Sequence, residues 1–333
     1  MMSFGRAACA MALLSGLALA SCGGGGSGSN SVVSGTQPAL VKPSDFPQPG
    51  GKSLQQLANS LGPGPVLAPS VSQLSPGQNR FGFGLFDRSR KQIAEAPAAV
   101  YFQNVKGGPV VGPFVAHDES LAVQPDFESN TVKQDPNAAH SVYVANVTFP
   151  ATGNYVALGV ARLDDRLVAA TLAGPAIRVQ KNSNVPKVGD KAPRIDTPTT
   201  KSVGGDVSKI DTRSPPDDMH SVSLKDALGK KPVVLVFATP LLCASRVCGP
   251  VVDIAEQVEH TMPQAKQFAF IHNEIYNNNK VVDGYRPQVA AFHLPTEPWV
   301  FIIGKDGRIA ARMEGAFSVS ELQAAMRAAL KRT

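Results

Sequence analysis

Cys243 and Cys248 are two thiols set five positions apart, with Thr239, Pro240, Leu241 and Leu242 before them and Gly249 and Pro250 after. Upstream runs the apolar, β-branched stretch Val233 to Phe237. Downstream, Val251, Ile254, Ala255 and Val258 repeat at helical spacing. Sulfurs at a strand-to-helix corner point first to reversible disulfide chemistry. Five positions on an ideal helix separate two side chains by about 140°, so a bond between these cysteines needs non-helical backbone in between. Pro250 disfavours helix at Gly249, which predicts a helix starting near Pro250 with Cys248 at its positive end, where a thiolate is stabilised. Arg246, between the two sulfurs, would stabilise either thiolate. Three uses of the pair stay open: a catalytic or electron-carrying dithiol, a structural disulfide of the kind common in oxidising compartments, and metal binding.

The compartment is read from the N-terminus. Met1 to Arg6 form a short basic start and Ala7 to Ala20 an apolar stretch too short to span a bilayer, which together predict a signal peptide over 1–21. Leu19, Ala20, Ser21 and Cys22 resemble the bacterial lipoprotein lipobox. That resemblance implies lipidation of Cys22 and an anchor on the extracytoplasmic face of the cell membrane; ordinary cleavage near Ala20, leaving Cys22 a free thiol, is the alternative. Of the four cysteines, Cys9 then leaves with the leader and Cys22 is capped, so only Cys243 and Cys248 remain as thiols.

The chain has 333 residues and 43% apolar composition, room for two modest cores. Its net charge of +6 and pI near 9.1 come from scattered Lys and Arg without a basic, aromatic-interleaved patch. No nucleic-acid partner is therefore expected, and attraction to anionic lipid or wall polymer is the consequence of that charge. Residues 22–78 are Gly/Pro/Ser-rich and predict a flexible tether, with a helical turn or two at Ser53 to Leu61. Over 79–180 the alternating runs Phe81–Phe86, Ala99–Phe102, Val142–Val147, Tyr155–Val160 and Ala176–Val179 predict an all-β antiparallel sandwich. Its architecture resembles the immunoglobulin-like accessory domains of exported proteins, without their cysteine pair or buried tryptophan, and implies an interaction or spacer role. His117, Asp118, Glu119, Asp164 and Asp165 are expected as solvated loop groups. Residues 181–222 are polar and proline-rich, a linker and lead-in segment carrying Gly189, Ala192 and Pro193.

Over 223–333 the order is a short helix at Ser223, a strand buried on both faces, the cysteine loop, a helix, and a second strand at Phe268–His272. A third strand at Trp299–Ile303, a turn at Lys305–Arg308, the segment Ile309–Met313 and a closing helix at Ser318–Lys331 follow. This order resembles the thioredoxin fold over roughly 188–333 and implies an α/β domain. The Gly189-to-Pro193 phrase is similar to that family's opening segment. The most specific mark is Thr296, Glu297 and Pro298 before Trp299, where thioredoxin-like proteins carry a cis-proline facing the reactive cysteines. By this resemblance Pro298 joins Cys243 and Cys248 as a site residue; a trans proline opening an edge strand is the other reading. Thioredoxins, however, use Cys-x2-Cys. Here four residues intervene, and Val251 stands where the second cysteine would follow Cys248, Gly249 and Pro250. The spacing also resembles one class of peroxiredoxin, but Thr239 falls four residues before Cys243 and no proline precedes it in the required place. Copper-delivery relatives pair a shorter cysteine spacing with a histidine; His293 lies five residues before Pro298, while His272 and Glu274 read as a solvent-facing strand end.

The resemblance thus implies a membrane-anchored extracytoplasmic thiol-disulfide oxidoreductase. It would need no haem, flavin, nucleotide or metal, and would act on exported protein thiols or disulfides with a redox partner for turnover. The alternatives are a non-enzymatic exported lipoprotein with a structural disulfide, a thiol peroxidase, or a copper chaperone. Family order makes Cys243 the attacking sulfur and the helix end favours Cys248.

Overall fold

The computed structural model describes residues 41–331. The expected signal peptide over 1–21 and Cys22 lie outside the described residues, and Val41–Thr333 cluster as one unit. The alternating runs do form strands: β1 (Gly62–Pro69), β2 (Gly77–Phe86), β3 (Gln92–Ile93), β4 (Ala98–Asn104), β5 (Val111–Ser120), β6 (Ser141–Phe149), β7 (Gly153–Leu163), β8 (Arg166–Leu172) and β9 (Ile177–Val179). Their neighbour order is β1-β8-β7-β4-β5-β6-β2, and β1 also pairs with β2. Seven strands therefore close into a barrel, with β3 appended to β2 and β9 to β7. Inward-facing rings fill it: Phe102 meets Phe149 at 4.8 Å and Phe81 at 5.1 Å between centroids, both edge to face.

Closure depends on β1. This strand runs parallel to β8 and antiparallel to β2, joining what would otherwise be two open edges. Its register shifts between Pro63 and Val66, where the prolines lack ladder donors. A side chain at Gly64 would come within 2.8 Å of the Ala169 carbonyl oxygen, so glycine permits the close approach to β8. Residues 41–78 thus depart from the expected tether: Leu54 and Leu57 of helix α1 (Leu54–Asn59) are buried against β4 and β7, and Ser53 caps that helix at the Gln56 amide.

The second sheet contains β10 (Val233–Phe237), β11 (Ala269–Asn273), β12 (Trp299–Ile303) and β13 (Ile309–Glu314), in the order β11-β10-β12-β13. Only β10 and β11 are parallel. The unalternating apolar text of β10 is explained by burial on both faces. Val234 and Val236 face α4 (Cys248–Thr261) and α6 (Val319–Leu330). Val233, Leu235 and Phe237 pack with Leu224 and Ala227 of α3 (Leu224–Ala227) and Val289 of α5 (Pro287–Ala291).

Barrel and mixed sheet share a core. Leu121, Val142 and Val144 lie in one apolar cluster with Val251, Ile254, Leu322 and Met326. Polar ties cross the same seam: Arg80 grips Glu321 through two nitrogens at 2.8 and 2.9 Å, and Glu314 accepts from Ser72 Oγ and the Gln73 amide. The expected arrangement, an α/β thioredoxin-like domain plus an immunoglobulin-like sandwich, is therefore corrected. The chain is mostly β, with a closed seven-stranded barrel and six short helices among the described residues, the longest of 14 residues. Strand alternation reports which face is buried but not whether the sheet's edges are stacked or joined, and the joining strand lay in Gly/Pro text.

Candidate functional site

The loop from Thr239 to Val247 leaves β10 and enters α4. Within it Cys243 and Cys248 are joined by a disulfide, their Cα atoms 5.9 Å apart. The backbone between them is non-helical, with Arg246 at φ 59°, as the 140° argument requires. The helix begins at Cys248 itself rather than near Pro250. First-turn amides have no intrahelical acceptor, so the missing N–H of Pro250 costs nothing there, and Gly249 has no Cβ to press on Val132 of α2 (Asn130–Lys133). Cys248 thus does occupy the positive end of α4. Arg246 does not serve the sulfurs; its guanidinium pairs with Asp135 at 3.2 Å, and its carbonyl accepts from the Ala139 amide.

The third group at the site is the Glu297 side chain. Its Oε2 accepts from the Thr239 amide at 2.9 Å and lies 3.5 Å from Cys248 Sγ. Burial raises this carboxyl to about 7; the Thr239 amide opposes the rise and the neighbouring Glu274 charge adds to it. A group half-ionised near neutral pH, in contact with a cysteine at a helix N-terminus, can take or give a thiol proton. Sequence reasoning considered only the backbone of Glu297. The available signal was a carboxylate immediately before the proline that opens β12. Pro298 follows it through a cis peptide bond, and its carbonyl accepts from the Gly315 amide.

Thr239 and Thr212 brace the loop. Thr239 Oγ1 accepts from the Ile275 amide at 3.1 Å, and Thr212 Oγ1 accepts from the Leu241 amide at 3.1 Å while donating to Glu274 Oε1 at 2.7 Å. Leu241 is left 62% exposed beside the cysteines. His272 and Glu274, expected to face solvent, are sealed in the interior, because the segment 211–220 covers that end of β11. Cys243, Cys248 and Glu297 bring donor atoms within 4.8 Å of one another with no histidine among them. His293, at positive φ, is exposed.

No protein-family model and no curated protein matches this chain. Among solved structures, the chain is similar to a Chlorobium tepidum protein assigned as the thiol:disulfide interchange protein DsbE. The identity is 19% and the TM-score 0.32, over 44% of this chain and 99% of the other. At that score the likeness carries no argument, and the functional reading rests on the site's own geometry.

Proposed function

We propose that this protein exchanges its Cys243–Cys248 disulfide with thiols and disulfides of other exported proteins. The observation that carries the reading is the contact between Cys248 Sγ and a carboxyl poised near pH 7, at the N-terminus of α4. Cys243 is 4% exposed and Cys248 fully buried, so Cys243 is the sulfur a partner meets first. From the dithiol state, the Cys243 thiolate attacks a partner disulfide; one new S–S bond forms and one partner sulfur leaves as thiolate. Cys248 then yields its proton to Glu297 and attacks Cys243 Sγ, expelling the second partner thiolate. The partner disulfide gains two electrons, the cysteine pair loses two, and a dithiol donor must restore it. Lipidation of Cys22 would hold this chemistry at the outer face of the membrane.

The burial of both sulfurs favours a second reading, a structural staple. Equilibration of the full-length protein in graded thiol buffers separates the two. A midpoint above roughly −270 mV supports exchange, and one below about −300 mV sinks it in favour of the staple. Under the exchange mechanism Cys248→Ser accumulates a mixed disulfide through Cys243, whereas Cys243→Ser accumulates none; mass spectrometry of trapped adducts reads the difference.

A further inference from the structure

Away from the sulfurs, Asp211, Asp217 and His220 of the covering segment converge on His272 of β11. All four side chains are sealed, with exposures of 0–1%. His220 Nε2 lies 3.4 Å from Asp211 Oδ2 and 3.3 Å from Asp217 Oδ1. His272 Nδ1 lies 2.7 Å from Asp217 Oδ2 and 3.8 Å from Asp211 Oδ1. One donor atom from each of the four falls within 4.8 Å of all the others. Neither ring nitrogen of His220 makes a hydrogen bond, although the ring is 1% exposed and aimed between the two carboxylates.

An imidazole that merely paired with a carboxylate would close to about 2.7–2.9 Å, as His272 does. His220 Nε2 instead stands nearly equidistant from two carboxylates. The separation matches the edge of a tetrahedron of N and O donors, about 3.3 Å for ligand bonds of about 2.0–2.1 Å. The supporting contacts fit ligation as well. His272 Nε2 lies 3.0 Å from the Ala238 carbonyl oxygen, which turns Nδ1 inward. The carboxylates are held by backbone donors: the Arg213 and Asp217 amides each donate to Asp211 at 2.7 Å, and the Met219 amide donates to Asp217 at 3.0 Å. With an acceptor beside each ring nitrogen, His272 is an imidazolium that balances one of the two carboxylates; a divalent cation takes the place of its Nδ1 proton and balances both. Making His220 an imidazolium instead would bury a charged N–H at Nδ1 without an acceptor, whereas a metal at Nε2 leaves only a neutral one there. Two nitrogens in the donor set favour a zinc-class transition ion over calcium or magnesium, which take oxygen ligands.

We infer that Asp211, Asp217, His220 and His272 form a closed structural site for a divalent, zinc-class transition-metal ion. The bound ion pins the segment 211–220 to β11 and, through Thr212, the backbone of the cysteine loop at Leu241. The chain with Cys243→Ser and Cys248→Ser, and with Cys9 and Cys22 also changed to serine so that no thiolate can hold metal, is the protein to test. Elemental analysis by mass spectrometry should find about one equivalent of transition metal per chain, as purified or after refolding with Zn²⁺ alone. Adding His220→Gln should lower occupancy by at least about tenfold, with circular dichroism checking that the variant folds. Where that variant does not fold, refolding of its parent decides: recovery that depends on Zn²⁺ supports the site. Equal recovery in chelator with no Zn²⁺ taken up overturns it, as does a full equivalent of metal retained by folded His220→Gln.

Discussion

Glu297 links stability and exchange chemistry through one proton. The folded chain holds its carboxyl at about 7 against an ordinary value of 4.5. Below pH 4.5 both folded and unfolded chains carry the proton and the group adds no penalty. Between 4.5 and 7 the unfolded chain has released it while the folded chain has not, so stability falls as pH rises; above 7 the loss is complete, on the order of 3 kcal/mol. Glu297→Gln should remove this slope and leave the oxidised protein more stable above pH 7, as urea titrations at pH 4.5 and 8 would show. The same variant should slow resolution of a Cys243 mixed disulfide by at least about tenfold and erase an inflection near pH 7 in its rate. A pH–rate profile identical to that of the parent would remove Glu297 from the mechanism. The cysteine pair itself was legible from residue types and spacing. The carboxyl was not, because 49 residues separate it from Cys248 and only the pairing of β10 with β12 brings them together.

Among the elements, α4 is held by a buried ion pair. Asp253, on its second turn, accepts from Arg213 Nε at 2.8 Å and from the Ser129 amide and hydroxyl at 2.9 and 3.0 Å. Arg213 also donates to the carbonyls of Pro215 and Phe127. One buried ion pair thus joins the helix below the cysteines to the covering segment and to the barrel's β5–β6 connection. Asp253→Ala strands the guanidinium and should cost about 3–5 kcal/mol, whereas replacing both partners with Leu and Met should recover part of that loss. Denaturant midpoints of the two variants check this: equal losses would mean that packing, not the stranded charge, sets the cost. Sequence periodicity located α4, β10, β11 and β12 to within a few residues, since each buries a regular stripe or an unbroken apolar run. It missed β1, β3, β5 and β8. Proline and glycine break the pattern in β1, β3 is only two residues long, β5 carries His117, Asp118 and Glu119 near its end, and β8 directly follows the exposed turn residues Asp164 and Asp165.

For the molecule as a whole, the shared core makes one cooperative unit the expectation. Barrel residues Leu121, Val142 and Val144 sit among the side chains of α4 and α6, so neither half can open without exposing apolar surface of the other. Urea unfolding followed by the fluorescence of Trp299, the only tryptophan, should coincide with loss of the barrel's circular dichroism. Two separated transitions would show that the barrel folds independently of the mixed sheet. Local order was the part the sequence determined by itself: strands where apolar residues alternate, a doubly buried strand where they do not, a helix after the cysteines, and two sulfurs close enough to bond. Tertiary structure alone decided barrel over sandwich, because closure is a pairing between β1 and strands roughly 20 and 100 residues away, invisible to any local pattern. It alone also turned the polar segment 211–220 from a linker into the lining of a buried His/Asp cluster, since the burial of a charged residue is set by what folds over it rather than by its own type.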